Sequence, residues 1–206
     1  MRRSLLALLV LATGCQTYGA FSQPTTLGKG HVRLGAMAAS DTFRVSDERF
    51  TTPDLGISAD FGLSDRTELD LLLTGTSLDG RVKQALVTPG VFALALETGL
   101  GLFTAYSAHT TAVYVPLALV AGVQPTHGVV LFAGPELWGG LGLDNPTQGA
   151  GFNRSTWGLM AGGVAGLALE DPRFTFCPQV TVLTPIATGA RGTVVSISFG
   201  FGTQVR

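Results

Sequence analysis

PDLGISADFGLSDRTELDLLLTGT, residues 53–76, is the stretch on which the fold turns. Leu55, Ile57, Ala59 and Phe61 alternate with Gly56, Ser58, Asp60 and Gly62. After Ser64-Asp65-Arg66 the alternation resumes, with Leu69, Leu71 and Leu73 set off from Glu68 and Asp70. A period of two gives each strand one apolar face and one polar or small face. Two such runs joined by three turn-forming residues read as an antiparallel hairpin.

The same period recurs outward in both directions. Val32, Leu34, Ala36 and Ala38 alternate with His31, Arg33, Gly35 and Met37, and Val195, Ile197, Phe199 and Phe201 alternate with Ser196, Ser198, Gly200 and Gly202. The segmentation predicts ten strands, at 31–40, 53–63, 67–76, 80–88, 91–102, 110–123, 128–141, 155–169, 173–184 and 193–204. The uncharged stretches Tyr114–Val123 and Trp157–Leu169 are too short for a membrane helix, which needs roughly 20 residues, whereas a tilted transmembrane strand needs about 9–11. Long connections are expected at Asp41–Thr52, Phe103–His109, Gly142–Arg154 and Pro185–Gly192. Short turns are expected at Ser64–Arg66, Pro89-Gly90, Gln124–His127 and Glu170–Pro172, and only Ser77–Asp79 breaks the alternation of long and short. That rhythm predicts an all-β, antiparallel, up-and-down transmembrane barrel of about ten strands, with eight as the alternative count. Pro116, Pro135 and Pro178 fall inside predicted strands, where proline removes a ladder hydrogen bond.

Composition agrees. Of 206 residues, 46% are hydrophobic, 13% are charged and 28 are glycine, with a formal charge of −1. A charged share about half the usual ~25%, with no basic excess, excludes a nucleic-acid surface.

Two resemblances refine this reading. Gly62-Leu63-Ser64-Asp65-Arg66-Thr67-Glu68-Leu69 is similar to a recurring turn of bacterial outer-membrane β-barrel proteins, and the pattern over about 31–204 resembles that family as a whole. At the N-terminus, Met1-Arg2-Arg3 and the apolar run Leu5–Ala12 form a secretory signal. The following Ala12-Thr13-Gly14-Cys15 resembles the lipobox of bacterial lipoproteins. That resemblance implies cleavage before Cys15 and acylation of its thiol with a diacylglyceryl group, with Gln16 favouring the outer membrane of a Gram-negative cell. The expected organisation is a lipoprotein signal peptide over 1–14, a lipidated tether over 15–30 and an outer-membrane barrel over 31–206. Its partner is then outer-membrane lipid, met through the Cys15 acyl chains and the barrel wall, with both barrel ends of the chain in the periplasm. Nothing in the chain specifies an oligomeric state.

With apolar residues facing lipid, the lumen receives Arg33, Asp60, Glu68, Asp70, Arg81, Lys83, Glu97 and Glu136, expected as an ionic network, or as the lining of a narrow acidic pore. Gly158, Gly162, Val164, Gly166 and Ala168 line the second half. Tyr114, Trp138, Trp157, Phe174, Phe176 and Phe201, near predicted strand ends, are expected at the membrane interface. No catalytic residue is assigned, since His31, His109 and His127 form no known catalytic or metal-ligand spacing. No metal site or cofactor is expected, and Cys177 reads as a small packed residue. The function expected is structural or that of a narrow conduit in the envelope, without catalysis. A soluble, lipocalin-like lipoprotein barrel binding a small apolar ligand in the periplasm is the alternative, with apolar faces turned inward. The weakest reading is a lipid-modifying enzyme using His109 beside Ser107.

Overall fold

A computed structural model describes residues 21–45, 48–87, 90–105, 110–144, 156–187 and 193–205. Ten strands follow one another in chain order: β1 (Val32–Val45), β2 (Glu48–Ser64), β3 (Thr67–Thr74), β4 (Ser77–Val87), β5 (Phe92–Ala105), β6 (Thr110–Thr126), β7 (Val129–Asp144), β8 (Thr156–Asp171), β9 (Phe174–Ala187) and β10 (Thr193–Val205). Each pairs antiparallel with its sequence neighbours, and β1 closes on β10 from Val32↔Val205 to Arg44↔Thr193. Closure leaves no sheet edge, so backbone donors and acceptors are satisfied within the wall.

The Ser64–Thr67 turn is held by its own hydroxyls. Ser64 Oγ donates to Thr67 Oγ1 at 3.0 Å and accepts from Arg66 N at 3.1 Å. Together with the turns at Gly128 and Pro172 it lies at one end of the barrel, the rim where Val32 meets Val205.

At the opposite end the strands run further than the apolar alternation does. The connection expected over Asp41–Thr52 is largely ladder, with Thr42 opposite Thr51, their hydroxyl oxygens 3.2 Å apart. β5, β7 and β9 likewise continue to Ala105, Asp144 and Ala187, into the long connections expected there. Only 46–47, 106–109, 145–154 and 188–192 of those four connections lie outside the described residues. A ladder needs backbone amides, not apolar side chains, so it persists where the sequence turns polar. Ser77–Asp79 is the start of β4 and not a loop. The reversal is at Gly75-Thr76, where Thr74 Oγ1 accepts from Ser77 N at 3.0 Å and Thr76 N at 3.2 Å, a hydroxyl-stabilised turn.

The three prolines sit beside interruptions in pairing. The β5–β6 register passes from Thr98↔Leu117 to Gly101↔Tyr114, skipping Pro116. The β6–β7 register skips Pro135 between Glu136 and Ala133, and the β8–β9 register skips Pro178 between Gln179 and Phe176. On the other side each keeps a cross-strand partner: Trp138, Gly163 and Phe199. The missing N–H therefore falls where no ladder bond is made.

The wall is apolar outside and charged inside. Leu55, Ile57 and Leu100 are 72%, 62% and 59% exposed, while Glu68 and Lys83 are fully buried and Arg33 and Asp60 nearly so. A protein folded in water has the reverse arrangement. That orientation removes the soluble, lipocalin-like alternative, which required the apolar faces to turn inward.

Candidate functional site: a charged lumen and what fills it

Strand register assembles the lumen. Cross-strand partners on the inner face include Arg33↔Asp60, Asp60↔Asp70, Asp70↔Arg81, Glu68↔Lys83 and Lys83↔Glu97. These pairs follow from two alternating strands meeting at a fixed turn, because a register slip of one residue would send every charge to the outer face of the wall.

Side chains complete the contacts. Arg33 Nε lies 2.7 Å from Asp60 Oδ2 and its Nη2 lies 3.4 Å from Glu68 Oε1. Lys83 Nζ lies 2.9 Å from Glu68 Oε1, 3.7 Å from Asp70 Oδ2 and 3.9 Å from Glu97 Oε1. Asp60, Glu68 and Asp70 bring carboxylate oxygens within 4.8 Å of one another, a spacing that suits a metal ion. Arg33 and Lys83 already supply the counter-charge there.

A second group lies deeper. Tyr114 OH donates to Asp79 Oδ1, and Ser77 Oγ donates to Asp79 Oδ2 at 3.3 Å. Trp138 Nε1 donates to Glu136 Oε1 at 2.7 Å, its ring stacks on Tyr114 at 4.8 Å, and Arg81 lies 5.3 Å above it. The interface placement expected for Tyr114 and Trp138 is thus wrong: both are buried in the lumen, 2% and 3% exposed. Phe174, Phe176 and Phe201 do pack on the outer face with Phe199 near the short-turn rim, and Trp157 is exposed.

All eight sequence-derived lumen residues lie on the inner face, and Asp79 joins them. Asp79 was missed because Ser77–Asp79 read as a loop. Around this part of the lumen Arg33, Arg81 and Lys83 face six carboxylates: Asp60, Glu68, Asp70, Asp79, Glu97 and Glu136. Farther round, Val164 and Ala168 are buried and Gly166 approaches the Phe132 ring. Cys177 is buried, with Sγ 3.9 Å from Gln179 Oε1. Cys15, Ser107 and His109 lie outside the described residues.

Sequence reasoning also missed the lumen's occupant. Within the stretch read as a tether, residues 21–24 are buried inside the barrel and residues 25–28 are half-buried on the way to the rim. Phe21 and Ser22 are each 5% exposed and Gln23 is fully buried. Phe21 lies beneath the Arg33 guanidinium, 3.9 Å from ring centre to Cζ, and its carbonyl accepts from Lys83 Nζ at 2.9 Å. Side chains on Gly35 and Gly202 would run into that ring, a Cβ on either coming within 2.9 Å of it.

No protein-family model and no curated protein sequence matches the chain. Solved structures of similar shape are small barrels. Neisserial surface protein A is 12% identical with a TM-score of 0.48, covering 85% of this chain and 99% of that one. Ail of Yersinia pestis, in complex with the heparin analogue sucrose octasulfate, is 12% identical at 0.45, covering 86% and 99%. The N-terminal β-barrel domain of Pseudomonas aeruginosa OprF is 14% identical at 0.41, covering 86% and 99%. The ten-strand closure stands on this chain's own register.

Proposed function

We propose that this protein spans a bacterial outer membrane as a β-barrel, is additionally anchored by lipid at Cys15, and serves the envelope as a structural element or narrow conduit without catalysis. The observation that carries the reading is the inverted wall, with leucine and isoleucine outside and paired charges inside. In water such a surface would be an aggregation site; in a bilayer it is the required one. Most strands run 13–17 residues, beyond the ~9–11 that a bilayer needs. Exposed Phe174, Phe199 and Phe201 at one end and Trp157 towards the other suit the two interfaces. The deciding experiment is gel mobility of the membrane fraction with and without heating, with the mature N-terminus mapped by mass spectrometry. A heat-modifiable band supports the barrel in membrane, and recovery of an unmodified, soluble chain rejects it.

Cys15→Ser tests the anchor separately. Loss of acyl labelling and an uncleaved or differently cleaved precursor are expected, and normal processing with unchanged partition removes the lipid claim while leaving the barrel. Sidedness has its own test. Five strands, β3–β7, separate the Ser64–Thr67 turn from the connection after Asp144, so the two lie at opposite ends. An epitope inserted near Gln148 is expected to stain on intact cells, and one near Asp65 only after the outer membrane is permeabilised. Staining of both, or of neither, on intact cells overturns the topology.

A further inference from the structure

Residues 21–27 carry no charge, yet they occupy the most charged part of the barrel. They reach it by reversing at the short-turn rim. Gly28 and Gly30 adopt φ of +81° and +79°, a region that side chains other than glycine rarely enter. Gly30 N donates to Gly62 O at 2.8 Å, and Gly62 N donates to His31 O at 2.9 Å, fastening the bend to β2. From there the segment runs inward and binds wall side chains largely through its own polar groups. Leu27 N donates to Glu68 Oε2 at 2.7 Å, Thr25 Oγ1 to Glu170 Oε1 at 2.7 Å, and Ser22 N to Gln179 Oε1 at 3.4 Å.

The seated arrangement is incompletely satisfied. Gln23 is fully buried, and neither Oε1 nor Nε2 has a hydrogen-bond partner. Beyond Phe21 a small cavity, large enough for about one water, is lined by Ser58, Asp70, Asp79, Arg81 and Glu97. There Arg81 Nε and Nη2, Asp70 Oδ1 and Glu97 Oε1 also lack hydrogen-bond partners. Buried polar atoms without partners favour any state that admits water to them. If the segment withdraws, Glu68, Lys83 and Arg33 exchange their contacts with it for water, and the wall keeps its excess of carboxylates. A narrow, low-dielectric channel lined by excess negative charge concentrates cations and excludes anions.

We propose that residues 21–27 are a reversible plug over a path for small monovalent cations. This deepens the conduit reading and rests on it.

The test is conductance in planar bilayers, with reversal potential under a KCl gradient, on the mature chain purified from membranes. Deleting residues 21–27 is expected to raise conductance several-fold, with a reversal potential of the sign for cation preference. A second variant guards against misfolding. A Cβ at Gly122 falls 2.7 Å from Pro24 Cγ and 3.2 Å from Cδ, so Pro24→Cys with Gly122→Cys puts two cysteine side chains in contact, and formation of the disulfide is confirmed by mass spectrometry before recording. The oxidised pair is expected to stay shut, and reduction to restore intermittent openings. Equal conductance of oxidised and reduced pairs, or a heat-modifiable deletion chain that conducts as the parent or prefers anions, overturns the plug while leaving the membrane barrel intact. Absence of heat-modifiable mobility in the parent overturns the membrane reading and the plug with it.

Discussion

Lys83→Met is expected to be the most damaging single substitution in the barrel. The ammonium is fully buried, 2.9 Å from Glu68, 3.7 Å from Asp70 and 3.9 Å from Glu97, and it also donates to the Phe21 carbonyl. Methionine matches the stem in volume but supplies no charge, so three carboxylates are left with Arg33 and Arg81 alone. Removing one partner of a buried ion pair costs about 3–5 kcal/mol, because the remaining charge stays desolvated. The measurement is the urea midpoint of unfolding in liposomes, read from tryptophan fluorescence, where a lower midpoint at unchanged slope reports lost stability. Adding Glu68→Gln to Lys83→Met is expected to recover part of the loss by removing the orphaned carboxylate. A midpoint equal to that of the parent would show that the lumen charges are neutralised without Lys83. A double variant worse than the single would show that Glu68 matters chiefly through Arg33 and Leu27.

Leu71→Arg is expected to come second, and its neighbour supplies the control. Leu71 stands on the outer face of β3, 40% exposed, opposite Ala59 of β2 and Gly80 of β4. Arginine at the midplane of a lipid-facing wall costs roughly 2–4 kcal/mol, so the folded fraction recovered from outer membranes should fall. Asp70→Asn, one position away and pointing inward, keeps the shape and removes a carboxylate whose nearest cation is 3.7 Å distant. A lumen already rich in carboxylates tolerates that change, and folding close to the parent is expected. Equal damage from the two, or the reverse order, would invert the assignment of faces and overturn the membrane reading.

Legibility in the sequence followed the distance over which each feature is decided. Arg33, Asp60, Glu68, Asp70, Arg81 and Lys83 were readable as lumen residues because each alternates with an apolar neighbour on its own strand. A period of two is a local property, and the pleat turns it directly into an inside and an outside. Trp138, two positions from Glu136 on β7, was legible as inward by the same period, but Tyr114 was misplaced for the complementary reason. In β6, Ala112, Tyr114, Pro116, Ala118 and Val120 alternate with Val113, Val115, Leu117 and Leu119, so both faces are apolar and the period does not say which is inner. Only closure of the barrel, which brings Asp79 and Arg81 across to Tyr114 and Trp138, settles it.

By itself, then, the sequence determined ten alternating strands, the Ser64–Arg66 reversal and the side of the wall on which most charges stand, because all three follow from backbone geometry over a few residues. Tertiary structure alone decided the strand ends beyond the apolar pattern, the partners of each charge and the fate of residues 21–27. That last segment has no period to read. Its place is set by Lys83, 62 positions from Phe21, and by Gln179, 157 positions from Ser22. These groups meet its backbone only after β1 has closed on β10 and enclosed a lumen for it to enter.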